Sequence, residues 1–272
     1  MTSADRVPLT VFTPFYKAND HYFDETIISV LSQSFGDFEY LMINDGPIED
    51  ARRIEKKFRD PRIRIITTSS PLGLSGSRNA GLHEARGDLM ALIDSDDFCE
   101  PDRLQKQIDF MRTHPDHIVV GTALRYIDEK SQTIGERYYP ETDEEIKKRI
   151  VAINCVAQSS VMVRRQALID AGGYIKDFPC AEDYALWLRA ARFGKFHNLQ
   201  EPLVAYRIHL ESGKHRLLRP ALRDSTLLKI HAIRHYGFRP TPRSLVSIAV
   251  HIALLALPAR LVYWLFKRLF VL

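Results

Sequence analysis

The sequence predicts an α/β fold: a mostly parallel central sheet flanked by helices, with a C-terminal apolar helical appendage. Three observations predict it. Short apolar runs alternate with amphipathic helical stretches about every 25 residues, the rhythm of right-handed βαβ units. Several of the apolar runs end in a polar cluster, as strands do whose carboxyl ends carry a site. Beyond residue 240 the composition turns apolar and basic.

The elements follow in order. Leu9–Phe12 reads as a buried first strand ending at Thr13-Pro14, and Asp20 to Gln33 has helical spacing. Phe38–Ile43 is a second strand closed by Asn44-Asp45-Gly46, followed by a charged helix over Ile48–Phe58. Ile63–Ile66 is a third strand. Leu74–Ala85 is a helix opened by a Gly/Ser-rich turn. Leu89–Ile93 is a fourth strand running into Asp94-Ser95-Asp96-Asp97, and a helix is expected to begin at Pro101. Past about residue 115 the pattern becomes mixed. A long strand over Ile118–Ile127 is paired with a segment around Gly135–Tyr139, and helices follow at Asp143–Val151, Gln166–Ala171 and Glu182–Phe193. A strand is expected at Ser160–Val163, and two short ones near Phe196 and Leu203–Tyr206.

Composition narrows the function. The 272 residues are 45% hydrophobic and 26% charged, ordinary for a globular chain. The three cysteines, Cys99, Cys155 and Cys180, form no CxxC pair, which argues against a disulfide framework and for a reducing compartment. The opening MTSADRVPLT has no apolar core, so no cleavable secretion signal is expected. From Glu201 to Leu272 there are 12 Lys and Arg against 3 Asp and Glu; the first 200 residues carry 26 against 31. A basic, apolar tail on an acidic body points to anionic lipid, and not to nucleic acid, for which no binding motif is present.

Five constellations carry chemistry. Asp94-Ser95-Asp96-Asp97 packs three carboxylates at a strand end, costly unless solvated or beside a cation, and hard oxygen ligands suit Mg²⁺ or Mn²⁺ bridging to a diphosphate. A solvated turn before a helix N-terminus is the plainer reading. Asn44-Asp45-Gly46 is a turn pair in which Asp45 can also accept a nucleobase N–H. Gly73 to Asn79 opens a helix with small residues able to present backbone N–H groups to an anion, with Arg78 placed to clamp base or phosphate. Glu182-Asp183 either caps its helix or supplies a general base. His209, after the apolar Leu203–Tyr206, is either structural or a third ligand to the cation.

Taken in order, these fragments resemble family 2 glycosyltransferases of the GT-A fold, of the bacterial surface-polysaccharide type. The resemblance runs from about residue 8 to 210. It is carried by Thr10–Tyr16, Ser29–Ser34, Ile43–Gly46, Ser77–Gly81, Leu92–Asp97, Pro101–Leu104, Gln158–Met162, Gly172–Tyr174, Glu182–Arg189 and Tyr206–His209. The resemblance implies roles. Pro14 and Tyr16 line the nucleotide pocket, Asp45 takes the base N–H with Arg78 beside it, and Asp94 contacts the ribose next to Ser95. Asp96 holds the metal with His209 approaching it, and Asp183 is the base supported by Glu182. It further implies a nucleotide-sugar donor, UDP by default, a saccharide or lipid-linked acceptor, and inversion at the anomeric carbon. Two departures fall near the base pocket: Pro47-Ile48-Glu49-Asp50 replaces the usual acidic or hydroxyl residues, and Lys17 stands where Asn is common.

The expected organisation is a transferase domain over 1–212, with a nucleotide-binding half (1–115) and an acceptor-side half (116–212), then a basic and apolar helical region over 213–272. That last region, interrupted at Pro258, is short of a spanning helix and reads as helices lying on the cytoplasmic face of the bacterial inner membrane, with Tyr263 and Trp264 at headgroup level. A tilted spanning helix and a core or dimer helix are the alternatives. Against the transferase stand two other classes. One is a phosphohydrolase or nucleotidyltransferase using the Asp-rich strand end; phosphatases of the Asp-nucleophile type place that motif after the first strand, and here it follows the fourth. A non-catalytic nucleotide-sugar-binding scaffold is opposed by the joint presence of Asp96, Glu182, Asp183 and His209.

Overall fold

The computed structural model describes residues 7–208, 218–258 and 261–262. Nine strands among them form one sheet. β1 (Leu9–Phe15), β2 (Glu39–Asn44), β3 (Ile63–Thr67) and β4 (Leu89–Leu92) are mutually parallel in the order β3-β2-β1-β4. The sheet continues through β8 (Met162–Arg164), β6 (His117–Ile127), β9 (Lys195–Arg207) and β5 (Phe98–Cys99), while β7 (Thr133–Arg137) pairs with β6. β8 runs antiparallel to both its neighbours, and β6 and β9 are parallel.

Side-chain alternation along the buried strands splits the core in two. Phe12, Leu41, Ile43 and Leu92 face one side, against Leu82 of α3 (Gly73–Glu84), Leu168 of α6 (Arg165–Asp170), Trp187 of α7 (Glu182–Ala190) and Leu228 of α8 (Leu218–His235). Val11, Tyr40, Met42 and Ala91 face the other, against Phe23 and Ile27 of α1 (Asp20–Leu31), Ile54 of α2 (Ile48–Lys57) and Leu104 of α4 (Arg103–Thr113). Local signals set the helix starts. Asn19 accepts from the backbone of His21 and Tyr22 to cap α1. In α2 Glu49 and Asp50 open the helix and Lys56 and Lys57 close it, complementing its dipole.

The structure departs from the expected elements in three places. Two short strands were expected near Phe196 and Leu203–Tyr206; β9 is instead one strand of 13 residues. Register shifts against β6 between Thr122 and Leu124 absorb Pro202, whose missing N–H masks the continuity in sequence. The two-residue β5 precedes Pro101, so α4 starts at Arg103. A short 3₁₀ turn at Gln158–Ser160 replaces the start of the strand expected at Ser160.

In the tail, α5 (Asp143–Arg149) supports a hairpin of α8 and α9 (Pro242–Ala256) through the segment that follows it. Thr241 and Ser244 form a reciprocal cap at the start of α9, with Pro242 in its first turn. No helix among the described residues is long and apolar enough to cross a membrane. Tyr263 and Trp264 lie outside the described residues.

Candidate active site

The carboxyl ends of β1, β2 and β4 open onto one cleft of about 1070 Å³. Pro14, Tyr16, Asp45, Arg78, Asp94, Ser95, Asp96, Glu182 and Asp183 all line it. Parallel strands that end together bring Pro14, Asp45 and Asp94 to one rim, and the start of α7 adds Glu182 and Asp183. His209 lies outside the described residues.

A buried polar network holds the acidic strand end. The fully buried Arg103 donates to the carbonyls of Leu92 (2.8 Å) and Val161 (3.2 Å), where β4 and β8 stop pairing, and to Gln107 and Cys99. Arg207, also buried, donates from Nε to the Asp96 carbonyl at 3.0 Å and from Nη2 to Glu25 at 2.6 Å. Its backbone N–H donates to Asp97 Oδ1 at 2.8 Å. Asp97 faces inward, 1% exposed; burial first, then the neighbouring Asp96 and Asp94, push its carboxyl well above the usual range. Asp94 and Asp96 line the cleft.

Asp45 is anchored within the fold. Its Oδ1 accepts from Thr68 Oγ1 and Leu72 N, both at 2.8 Å, and Oδ2 accepts from Gly73 N at 2.8 Å. The helix N-terminus expected to meet a ligand anion thus meets Asp45 itself. A carboxylate offers about four acceptor positions, so Oδ2 retains capacity for one more N–H from the cleft. The turn below it is made by Asn44, whose side chain accepts from Gly46 N and donates to the Pro47 carbonyl. Lys17 sits in the left-handed region at φ 46°, with its ammonium 5.4 Å from the Tyr16 ring. Asn tolerates that conformation better than Lys.

Arg78, expected beside Asp45 at the base, lines the same cleft; its guanidinium joins Asp94 Oδ1 (3.0 Å) to Glu182 Oε1, above the face of Tyr174. One turn of α3 separates the capped N-terminus from Arg78, which carries it towards α7. Burial disfavours its charge, but Asp94 and Glu182 hold the guanidinium firmly protonated. Burial pushes Glu182 up to about 7 against the pull of Arg78. Asp183 differs from its neighbour: it accepts from Asn154 Nδ2 (3.3 Å) and the Tyr184 N–H (2.7 Å), and forms no ion pair with a described cation.

Four lining residues escaped sequence reasoning. Ser159 donates to Asp94 Oδ2 at 2.9 Å, and Asn154 holds Asp183. Arg137 and Tyr126 line the far wall. Ser159 lay inside a recognised fragment without a role; the other three carry no local signal.

The model of glycosyl transferase family 2 matches residues 10–172. The chain belongs to this family. An O-antigen biosynthesis glycosyltransferase of Escherichia coli, WbnJ, is 35% identical over 202 residues, spanning 71% of this chain and 77% of the relative. Among solved structures, residues 1–349 of S. aureus TarS in complex with UDP-GlcNAc align with a TM-score of 0.65 and 16% identity, covering 93% of this chain and 82% of that one. The mannosyltransferase PcManGT from Pyrobaculum calidifontis, in complex with GDP-Man and Mn²⁺, aligns at 0.64 and 15%, covering 95% and 72%. This family 2 glycosyltransferase has the GT-A fold expected from its sequence, and the catalytic reading stands over the scaffold alternative.

Proposed function

We propose that this glycosyltransferase uses Asp183 as the general base in an inverting transfer from a nucleoside-diphosphate sugar, UDP by default, to a saccharide or lipid-linked saccharide hydroxyl. The observation that carries the assignment is the different pairing of two adjacent acids: Glu182 is held by Arg78, whereas Asp183 meets only neutral donors. Asp183 removes the proton of the acceptor hydroxyl. The oxygen attacks the anomeric carbon from the face opposite the diphosphate, whose bond to that carbon breaks. In this reading Asp45, fixed by three donors, orients the base, and Asp94, held by Arg78 and Ser159, contacts the ribose.

The donor set fits a divalent cation. Among the described lining residues five carboxylates face only two guanidiniums, one of them already neutralised, so a diphosphate entering this cleft brings more negative charge. No cluster of three or more potential ligands occurs among the described residues. Mg²⁺ or Mn²⁺ is commonly bound by one or two carboxylates plus substrate phosphate oxygens, and Asp96 would hold it, with His209 the second candidate. When bound, the cation stabilises charge on the leaving diphosphate. The Mn²⁺ in the mannosyltransferase complex supports this reading.

Membrane attachment is proposed on the orientation of α9. Beyond the exposed Arg243 of its first turn, its polar side chains point inward: Ser244 is fully buried, Ser247 donates to the Ala152 carbonyl (2.7 Å) and His251 meets Thr226 (3.3 Å). Its apolar ones, Leu245, Val246, Val250 and Ile252, are about half exposed or more. A helix with that polarity suits the headgroup boundary on the cytoplasmic side of the inner membrane.

Asp183→Asn tests the base: binding of UDP with Mn²⁺ is retained while transfer falls by at least ~10²-fold; transfer near the wild-type rate would remove Asp183 from the role. Val246→Glu with Val250→Glu tests the tail. Flotation with anionic vesicles should be lost, and unchanged flotation counts against attachment through α9.

A further inference from the structure

The far wall of the cleft differs from the donor side. It is made by the β6–β7 hairpin, β9 and the segment 154–157, and presents Leu124, Tyr126, Arg137, Tyr139, Val156 and Tyr206. Arg137 lies opposite Leu124 in the β6–β7 register. Its guanidinium carbon is 5.0 Å from the centre of the Tyr139 ring, and Nη1 donates to Tyr126 Oη at 3.4 Å. The aromatic contact fixes the plane of the guanidinium without using up its charge. No carboxylate among the described residues pairs with it: Glu136, next in sequence, is on the opposite side of the strand and accepts from Tyr138 at 2.7 Å. Of the two guanidiniums lining the cleft, Arg78 is held by two carboxylates, so Arg137 is the one with its donors available.

Its position associates it with the acceptor. Arg137 lies beside the buried Cys155, whose neighbour Asn154 holds Asp183. A group bound by Arg137 therefore sits on the side of the candidate base, across the cleft from the capped Asp45.

We infer that the acceptor carries an anionic group, a phosphate of a lipid-linked sugar or a sugar carboxylate, received by the Arg137 fork, with the sugar ring against Tyr126 and Tyr139. A planar five-donor fork matches either oxyanion, and tyrosine faces suit the apolar face of a pyranose. The inference rests on the transferase reading of the same cleft and adds the charge of the substrate that reading leaves open.

The test uses the full chain in two stages. UDP with Mn²⁺ is first titrated by calorimetry; absence of binding would overturn the nucleotide-sugar reading and this inference with it. The nucleotide-saturated protein is then titrated with three probes of equal alkyl length: butyl diphosphate, butyl glucuronide and butyl glucoside. One anionic probe should bind roughly 10- to 100-fold more tightly than the glucoside, the range of a charge-assisted hydrogen bond. The preferred probe identifies the source as phosphate or carboxylate. Arg137→Gln should abolish the preference and Arg137→Lys, which keeps the charge without the fork, should keep part of it, with UDP binding unchanged in both. Three probes that bind alike or not at all, a preference that survives in Arg137→Gln, or a loss of UDP binding in that variant would each overturn the inference while leaving the transferase reading intact.

Discussion

Replacing Arg78 by Met should produce a loss of stability that depends on pH, and its size follows from the pairing. Arg78 is 4% exposed and donates to Glu182, 7% exposed, and to Asp94, whose side chain is 34% exposed. Removing one member of a buried pair costs about 3–5 kcal/mol when the remaining charge stays ionised. The Asp94 arm, one-third exposed, is discounted for solvent screening, which leaves roughly 3 kcal/mol. The Glu182 carboxyl lies at about 7 in the folded chain, above roughly 4.3 in an unfolded one. A group raised in this way lends stability that is complete below its unfolded value and is lost as pH rises through its folded value. Without Arg78 the folded value climbs further, so the variant goes on losing stability at a pH where the wild type has stopped. The gap should be about 3 kcal/mol at pH 8.5, equivalent to about 5 °C in Tm. It should shrink to about 1 kcal/mol at pH 5, where Glu182 is protonated in both proteins. Urea unfolding followed by circular dichroism at the two pH values measures this. A gap equal at both, or wider at pH 5, would refute the reasoning.

Three further outcomes are expected. Asp45→Ala removes the shared acceptor of Thr68, Leu72 and Gly73 and should cost about 2–3 kcal/mol in urea unfolding. It should also raise the donor KM, with Asp45→Asn intermediate in both; an unchanged donor KM would separate Asp45 from the nucleotide. Gly81→Ala would bring a Cβ within 2.3 Å of the Phe12 ring. A loss of about 1–3 kcal/mol is expected from overpacking, relieved by Phe12→Leu in the double variant, and additivity of the two changes would argue against contact as the cause. Ser159→Ala removes the second donor to Asp94 and should lower donor affinity by roughly tenfold, about 1.4 kcal/mol, with less than about 1 kcal/mol lost in stability; unaltered affinity would assign Ser159 to packing alone.

The donor half of the fold was legible because each strand there is a short apolar run closed by its own turn chemistry, and parallel strands bring those turns to one rim. Asp45 and Asp94 could therefore be placed on a common cleft from their positions at strand ends; Asp183, at the start of α7, was placed there by the family resemblance. The acceptor half was harder to read. Asn154, Ser159 and Arg137 reach the cleft through a loop, a 3₁₀ turn and an edge strand, which have no periodicity to follow. Arg78 was located on α3, but its bond to Glu182 was not foreseen, since sequence does not give which neighbour lies within reach on α7. The strand over 195–207 was divided because Pro202 resembles a break; only pairing with β6 makes it continuous.

The outermost helix is mechanically close to the chemistry. Ser247 on α9 accepts from Lys229 of α8 and donates to the carbonyl of Ala152, each at 2.7 Å, and two residues along the backbone Asn154 grips Asp183. Ala221, one helical turn into α8, forms part of the cleft wall. Two hydrogen bonds and two residues of backbone thus join the apolar outer helix to Asp183 on the cleft wall.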